Sequence, residues 1–129
     1  MSRPQSLRKK PKEPRQKVAI VGAGVAGVAM AGALQDYRID FEVYDQNEGP
    51  GGLWTSNYPG ASVQSTAELY EFPGKKFKPE IRNRKDPPAP TAREVCEYLK
   101  EYIEEKGMKS KFHYGTKITS IMCDSETEW

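Results

Sequence analysis

The chain has little of the side-chain chemistry on which many catalytic and metal-binding proteins depend. Its 129 residues include two cysteines and one histidine. Cys96 and Cys123 have no Cys or His partner at metal-ligand spacing, so we expect two reduced thiols and no metal site. His113 lies between two aromatic residues in an apparent strand, which favours a structural imidazole over a catalytic one. No Ser/His/Asp or Cys/His set can be assembled, so the sequence identifies no catalytic residue.

Long apolar runs are also absent. No stretch approaches the roughly 20 apolar residues that a transmembrane helix requires, so no stable membrane insertion is predicted. Residues 1–17 begin with basic residues but have no apolar segment behind them, which argues against a secretory signal and favours a cytoplasmic protein. The hydrophobic fraction of 36% and the charged fraction of 29% are typical of one globular domain.

Positive charge is concentrated in the first 16 residues. This segment contains six Lys or Arg residues, one acidic residue and three prolines. We therefore expect residues 1–16 to form a disordered tail and residues 17–129 to form the folded part, which is mildly acidic with 14 basic against 17 acidic residues. No nucleic-acid partner is predicted. The alternative for the basic run at 8–12 is a nuclear-localisation signal or a contact with an anionic surface.

A strand, a helix and a second strand are predicted at the start of the folded part. KVAIV at Lys17–Val21 is a short β-branched apolar run, typical of a strand that is buried on both faces in a parallel sheet. Small and apolar residues from 25 to about 35 predict a helix with a slim face against the sheet. DFEVYD at 40–45 alternates apolar and polar residues as a second strand does, so the segment forms a β-α-β unit.

The second half contains one clear helix between less regular segments. Residues 55–90 contain Pro-Gly pairs and the run KDPPAP, which predict a long loop. A helix is predicted to begin at Thr91, whose hydroxyl forms a capping box with Glu94, and to end before Gly107. Its expected core face is Val95, Tyr98, Leu99, Tyr102 and Ile103.

Two further strands are predicted after this helix, at residues 111–114 and 117–123. DSETE at 124–128 is typical of a hairpin turn, and Trp129 would open the return strand. A strand without its hairpin partner leaves an open edge and an uncovered apolar face. We therefore expect the chain to be the first part of a larger fold.

The motif GAGVAG lies between the first predicted strand and the first predicted helix. Gly22 would allow the tight turn, Gly24 would let the backbone approach a pyrophosphate, and Gly27 would let helix and strand pack closely. The pyrophosphate would contact free N–H groups at the positive end of the helix. Asp45 ends the second strand, where a carboxylate can accept hydrogen bonds from ribose hydroxyls and repel a 2′-phosphate. This context favours FAD or NAD; the alternative is a turn that binds no nucleotide.

A second glycine cluster follows Asp45 in DQNEGPGGLW. A surface turn needs one glycine or a Pro-Gly pair, so this series needs another reason. Glycines here would let the backbone run close to a second part of the same cofactor, with Trp54 as an apolar wall. NAD sites have no general need for such a cluster, so it favours FAD. The alternative is an exposed turn with a tryptophan in the core.

These motifs resemble the N-terminal portion of the class B flavoprotein monooxygenases, a family of flavin-containing, Baeyer–Villiger and N-hydroxylating monooxygenases. The resemblance rests on VAIVGAGVAG, Asp45, GGLW and YLKEYIEEKG…FHYGTKITSI, which occur in order through nearly all of residues 17–129. It implies an α/β fold, with a Rossmann-like FAD-binding β-α-β unit followed by a helix and a β-hairpin. Such a chain would be a partial FAD-binding domain, an incomplete version of a three-layer FAD/NAD(P)-binding fold.

The resemblance also implies which residues contact FAD. Gln64 and Ser65 fall where the family places a polar residue beside the flavin. Gln64 departs from the aspartate of the Baeyer–Villiger members, which leaves the subclass open. Ile118 falls where backbone groups meet the adenine. The other implied contacts are Gly22, Ala23, Gly24, Val25 and Ala26 with the diphosphate and Gly27 beside them, Asp45 with the ribose, and Gly52, Leu53 and Trp54 with neighbouring groups.

Two parts of the family's pattern are absent from the sequence. These are a second GxGxxG motif for NADPH, the family's co-substrate, and the FxGxxxHxxxP/Y signature. The first functional hypothesis is a truncated FAD-dependent oxidoreductase that uses NADPH and O2 to oxygenate a small organic substrate. The second is a non-catalytic remnant or a dinucleotide-binding module without turnover of its own, NAD being the alternative ligand. A partner chain could complete the fold.

Overall fold

The computed structural model describes residues 16–124, which contain a parallel three-stranded sheet. Across the sheet the order is β1 (Lys17–Val21), β2 (Asp40–Tyr44) and β3 (Phe112–His113). β1 and β2 pair along their full lengths, with Ile20 opposite Val43. The helix α1 (Val25–Asp36) connects these two strands. The predicted β-α-β unit is therefore confirmed.

The stretch 55–90, which the sequence predicts to be a loop, contains short helical segments. Each is too short to show a periodic apolar stripe, so the local pattern does not distinguish it from a loop. The segments are the end of a 3₁₀ turn at Gly52–Ser56, α2 at Ala67–Tyr70 and α3 at Pro79–Arg82. The stretch is mostly irregular, as the sequence predicts, and the short helical segments are an addition to that prediction.

The helix α4 (Ala92–Glu105) begins at the capping box that the sequence predicts. The Glu94 N–H donates to Thr91 Oγ1 at 3.2 Å, and the Thr91 N–H donates to Glu94 Oε1 at 3.0 Å. Gly107 follows the helix with φ +67°, a conformation that favours glycine. The expected core face of α4 is buried throughout, so the prediction of this helix is confirmed.

The hydrophobic core lies on one face of the sheet. Ile20 and Val43 are buried there, together with the inner faces of α1 and α4. The two helices approach closely at Gly32 of α1, where a Cβ atom would overlap the Tyr102 side chain. The expectation that β1 is buried on both faces is wrong, because Val21, which faces away from this core, is 57% exposed.

The strands predicted after α4 are only partly present. β3 contains Phe112–His113 rather than residues 111–114, and it pairs with β2. Residues 117–123 form no strand in the described part of the chain, where β3 is the last strand of the sheet. A β-prone pattern becomes a strand only beside a suitable neighbour. Residues 1–15 of the predicted tail and residues 125–129 of the predicted hairpin lie outside the described residues.

Candidate functional site

The first glycine loop connects β1 to α1 and leaves backbone N–H groups free at the start of the helix. Gly22 has φ +107°, which favours glycine, and its N–H donates to the Tyr44 carbonyl at 2.8 Å. The first helical hydrogen bond runs from the Val28 N–H to the Gly24 carbonyl at 3.0 Å. The amides of residues 25–27 therefore precede the ladder of the helix and have no acceptor in it. With the positive end of the helix dipole they form a site suited to an anion.

Gly27 lies at the closest approach between α1 and the loop. A Cβ atom at this position would overlap the Gly22 carbonyl oxygen and lie 3.0 Å from the carbonyl carbon. It would also lie 3.5 Å from Ile20 Cγ2. Glycine is required here for the helix to pack against the end of β1, as the sequence analysis expects of the third glycine in the motif.

The second glycine cluster packs against the first loop and against α4. The Gly51 N–H donates to the Ala23 carbonyl at 2.9 Å, and a Cβ atom at Gly52 would lie 3.1 Å from Gly24 Cα. Gly51 has φ +140° and faces Cys96 on α4, whose Sγ would lie 2.5 Å from a Gly51 Cβ atom. These contacts give the cluster a structural role. Sequence reasoning missed it because the contacts join segments that are distant along the chain.

The Asp45 carboxylate is buried at the end of β2, and the residue is 8% exposed. Its Oδ2 accepts the Ala23 N–H at 2.6 Å, and its Oδ1 accepts the Asn47 N–H at 2.7 Å. The backbone N–H of Asp45 donates to the His113 carbonyl at 3.0 Å, and its carbonyl accepts the Thr116 N–H at 2.8 Å. Asp45 therefore connects the glycine loop, the end of β2 and the chain that follows β3.

Tyr114 is a half-buried phenol that experiences the charge of this carboxylate. Burial, and secondarily the negative charge of Asp45, raise the pKa of Tyr114 to about 12. Its ring lies against Phe112, with the two ring centroids 6.0 Å apart. Tyr114 thus supplies a neutral aromatic surface beside the end of β3.

A cleft of about 490 Å³ opens between the second glycine cluster and the chain after β3. Its volume lies within the range of about 300–1,000 Å³ that is typical of small-molecule sites. The sequence-predicted residues that line it are Gly22, Asp45, Gly52, Leu53 and Ile118. Lining residues that sequence reasoning missed include Gln46, Asn47, Thr116 and Lys117. They follow the carboxyl ends of parallel strands, where open α/β sheets bind ligands. Their position in the sequence, just after the predicted strands, could therefore have identified them as candidate lining residues.

Other predicted residues lie apart from the residues that line this cleft. Trp54 is half-buried against the core and lines a separate cavity of about 760 Å³, together with Cys96. Gln64 is exposed and Ser65 is half-buried in the irregular segment before α2. The structure therefore brings the glycine motif, Asp45 and Ile118 together, and it places Gln64 and Ser65 elsewhere.

The cleft has Asp45 and Lys117 in its lining, and it lies beside the loop whose following amides precede the hydrogen-bond ladder of α1. Between residues 16 and 124, no group of three or more His, Cys, Asp or Glu side chains could hold a metal ion. The helices of this region include none long and apolar enough to cross a membrane. A donor set of this kind is suited to the diphosphate and ribose of a nucleotide.

Comparison with protein families agrees with this chemistry. A family profile described as "NAD(P)-binding Rossmann-like domain" matches residues 20–86, which make up half of the chain. The matched region includes α1, both glycine segments and Asp45. It ends before α4 and β3.

Individual proteins match a longer part of the chain. The "Probable FAD-binding monooxygenase AlmA" of an Acinetobacter species is 33% identical over 116 residues, covering 88% of this chain and 22% of that protein. The ketocytochalasin monooxygenase of Aspergillus clavatus is 33% identical over 126 residues, covering 96% of this chain and 19% of that protein. A closed crystal structure of cyclohexanone monooxygenase has a TM-score of 0.62 at 26% identity, covering 80% of this chain and 20% of that chain. The chain thus spans about a fifth of the length of these proteins.

Proposed function

The chain belongs to the NAD(P)-binding Rossmann-like domain family and is related to the N-terminal portion of the class B flavoprotein monooxygenases, and on this premise we propose that it binds FAD. The proposed site extends from the start of α1 into the cleft beside Asp45. The relatives are FAD-binding or oxygenating enzymes by name, and the chemistry of the cleft is that of a nucleotide site.

The observation that carries the proposal is the junction of the two glycine segments at the start of α1. A Cβ atom at Gly24 would lie 3.6 Å from Gly52 Cα, so a ligand at this junction meets backbone rather than side chains. The amides at the start of the helix lack helical acceptors and lie at the positive end of the dipole. A diphosphate suits this junction, because its negative charge matches the positive end of the helix dipole and the glycines leave the backbone accessible.

The structure narrows the set of donors available to that diphosphate. The N–H groups of Gly22 and Ala23 already donate to Tyr44 and Asp45. The resemblance implies residues 22–26 for the diphosphate, so we assign it to the remaining amides, those of residues 24–26, with the adenosine in the cleft between Asp45 and Ile118. Leu53 and Trp54 beside the cofactor, and Gln64 and Ser65 beside its flavin, remain proposals from the family resemblance.

For the reaction, we propose that the complete enzyme is an oxidoreductase that uses NADPH and O2 to oxygenate a small organic substrate. Bound FAD would supply the redox chemistry, and the described residues would bind its diphosphate and adenosine. The chain spans about a fifth of its relatives, so we propose it as the FAD-binding part of such an enzyme. A partial domain at 17–129, a cytoplasmic location and a partner chain that completes the fold belong to the same proposal.

A second candidate function is a dinucleotide-binding module without turnover of its own. The family profile, which is described by NAD(P) rather than FAD, favours this candidate. Where the module binds NAD rather than FAD, a binding measurement separates the two candidates.

The experiment is a titration of the purified chain with FAD, NAD⁺ and NADP⁺, followed by gel filtration and an absorbance spectrum. We expect flavin absorbance to elute with the protein. Binding of NAD⁺ in preference to FAD would support the module instead, and binding of no nucleotide would contradict both candidates.

Gly24→Ala provides a matched variant for this titration. Gly24 has φ −75° and an added Cβ atom would make only an ordinary contact with Gly52, so the fold should be retained. The same atom would stand at the proposed diphosphate position and should weaken FAD binding by about tenfold or more. Gly49→Ala is the control, because its Cβ atom would meet no other atom within 4 Å. Equal FAD affinity of the two variants would contradict the assigned position of the diphosphate.

A further inference from the structure

A second hollow, of about 760 Å³, lies between the first part of α4 and the segment 49–61. We call it the α4 cavity, and the residues that line it include Trp54, Tyr58, Cys96 and Lys100. Its volume lies within the range of about 300–1,000 Å³ that is typical of small-molecule sites. The lining residues of this cavity and of the cleft beside Asp45 do not overlap, so the two hollows are separate.

The 3₁₀ turn at Gly52–Ser56 forms the wall between the two hollows. Gly52 and Leu53 line the cleft, whereas Trp54 and Thr55 line the α4 cavity. Thr55 Oγ1 donates to the Gly52 carbonyl at 2.7 Å, a hydrogen bond within the turn. A ligand in the α4 cavity would therefore not take the place of a nucleotide in the cleft.

The lining of the α4 cavity includes aromatic and uncharged surface. Trp54 is half-buried against the core, whereas Tyr58 is 74% exposed and has ring area that a ligand could cover. Burial raises the pKa of the Cys96 thiol, and the positive charge of Lys100 acts against that rise. The thiol is therefore protonated at neutral pH and adds a soft, uncharged surface. These groups suit a planar aromatic ring.

Three charged side chains of α4 line the same cavity, namely Arg93, Glu97 and Lys100. Arg93 is paired with Glu97, with Nε 3.2 Å from Oε1. The side chain of Lys100 has no ion pair or hydrogen bond with any residue from 16 to 124, and its charge acts on the Cys96 thiol. Lys100 is thus the cation of the cavity that remains available to an anion.

We propose that the α4 cavity is a second ligand site, which binds a small planar aromatic carboxylate with its ring against Trp54 and Tyr58 and its carboxylate at Lys100. The inference is independent of the nucleotide site and goes beyond the proposed binding of FAD. An uncharged aromatic ligand would make only the ring contacts, so the affinity should depend on the charge of the ligand.

Nuclear magnetic resonance titrations of the isotope-labelled chain with 2-naphthoate and with uncharged 2-naphthamide test the site. The sequence has two tryptophans, so Trp129→Phe leaves Trp54 as the source of the one indole N–H signal. We expect 2-naphthoate to shift this signal and the amide signals of Cys96 and Lys100 saturably, with the amides of 116–118 at the cleft unchanged. 2-Naphthamide should bind about fivefold more weakly, because it lacks the charge that pairs with Lys100. The absence of a saturable shift at Trp54, or a shift confined to the cleft, would overturn the inference.

Two substitutions on α4 should change the affinity for 2-naphthoate in opposite directions. Lys100→Gln should weaken binding by about fivefold, the effect of an exposed ion pair, whereas Glu97→Gln removes a like charge and should strengthen binding. Neither should change the affinity for 2-naphthamide. Lys109→Gln is the control, because Lys109 is an exposed cation that lies outside the cavity lining and pairs with Glu104 at 3.7 Å. An equal loss in Lys109→Gln and Lys100→Gln would refute the assignment of the carboxylate.

Tyr58→Ala tests the position of the ring. The side chain is largely exposed, so the fold should be retained. Loss of the aromatic contact should weaken 2-naphthoate and 2-naphthamide alike, by about fivefold. Unchanged affinity for both ligands would show that the ring does not lie against Tyr58 and would contradict the proposed site.

Repeating the titration in the presence of FAD separates this inference from the proposed function. 2-Naphthoate should bind equally with and without FAD, because the two hollows are separate. Displacement of 2-naphthoate by FAD would overturn the inference, since the α4 cavity would then belong to the cofactor. If the chain binds 2-naphthoate but not FAD, the proposed function fails and the second site stands.

Discussion

Replacing Gly27 with alanine should destabilise the fold, because the new methyl group has no room between α1 and the first glycine loop. The Cβ atom would overlap the Gly22 carbonyl oxygen and lie 3.0 Å from its carbon. These are backbone atoms, which cannot move away by a change of rotamer. The helix must therefore shift relative to the end of β1, where Ile20 and Val28 are buried in the core.

The size of the effect follows from two opposing terms. Overpacking of a well-packed site costs about 1–3 kcal/mol. Alanine is a better helix former than glycine by up to about 1 kcal/mol, which offsets part of that loss. We expect a net decrease of about 1–2 kcal/mol in the free energy of unfolding, and a melting temperature lower by about 5–10 °C.

Urea and thermal unfolding followed by circular dichroism would measure this effect. Gly49→Ala is the control, because an added Cβ atom there would meet nothing within 4 Å. Gly24→Ala is a second control within the same motif, since its Cβ atom would make only an ordinary contact at 3.6 Å. A Gly27→Ala chain as stable as the wild type would refute the argument, because it would show that helix and loop are not in contact there.

The other predictions concern α4 and Tyr114. Thr91→Ala removes the side-chain acceptor of the capping box and should lower the free energy of unfolding by about 1 kcal/mol, measured by urea unfolding, whereas Thr91→Ser should be close to the wild type. The pKa of Tyr114 is raised to about 12 in the folded chain, whereas a tyrosine in the unfolded chain has a pKa of about 10. The contribution of Tyr114 to stability is therefore fully present below a pH of about 10 and is lost as the pH rises to about 12. The stability difference between the wild type and Tyr114→Phe should therefore change over this interval in urea titrations, and a difference that is constant with pH would contradict the shift.

Local patterns predict the elements that depend on neighbouring residues in the chain. β1, α1 and β2 follow from an apolar run, a helical glycine motif and an alternating segment, and α4 follows from its capping box and apolar stripe. In each of these cases the residues that determine the element lie within one or two turns of each other, or within one strand. Sequence reasoning is most effective for this kind of element.

Contacts between distant segments are the part that the sequence does not predict. The packing of Gly51 against Cys96, and the hydrogen bond from Ala23 to Asp45, depend on how the elements are arranged in space. The strand predicted at 117–123 is absent for a related reason, because pairing requires a neighbour as well as a β-prone pattern. The exposure of Val21 likewise depends on which face of the sheet the helices cover.

Gly51 lies between α4 and the first glycine loop and contacts both. The Gly51 N–H donates a hydrogen bond to the Ala23 carbonyl, and the Gly51 α-carbon faces the Cys96 thiol. Close-packed interiors transmit strain, so a shift of α4 at Cys96 would be transmitted to Gly51 and, through its hydrogen bond to Ala23, to the loop. The helix α4 is therefore coupled to the loop that precedes α1, although it supplies none of the residues assigned to the diphosphate.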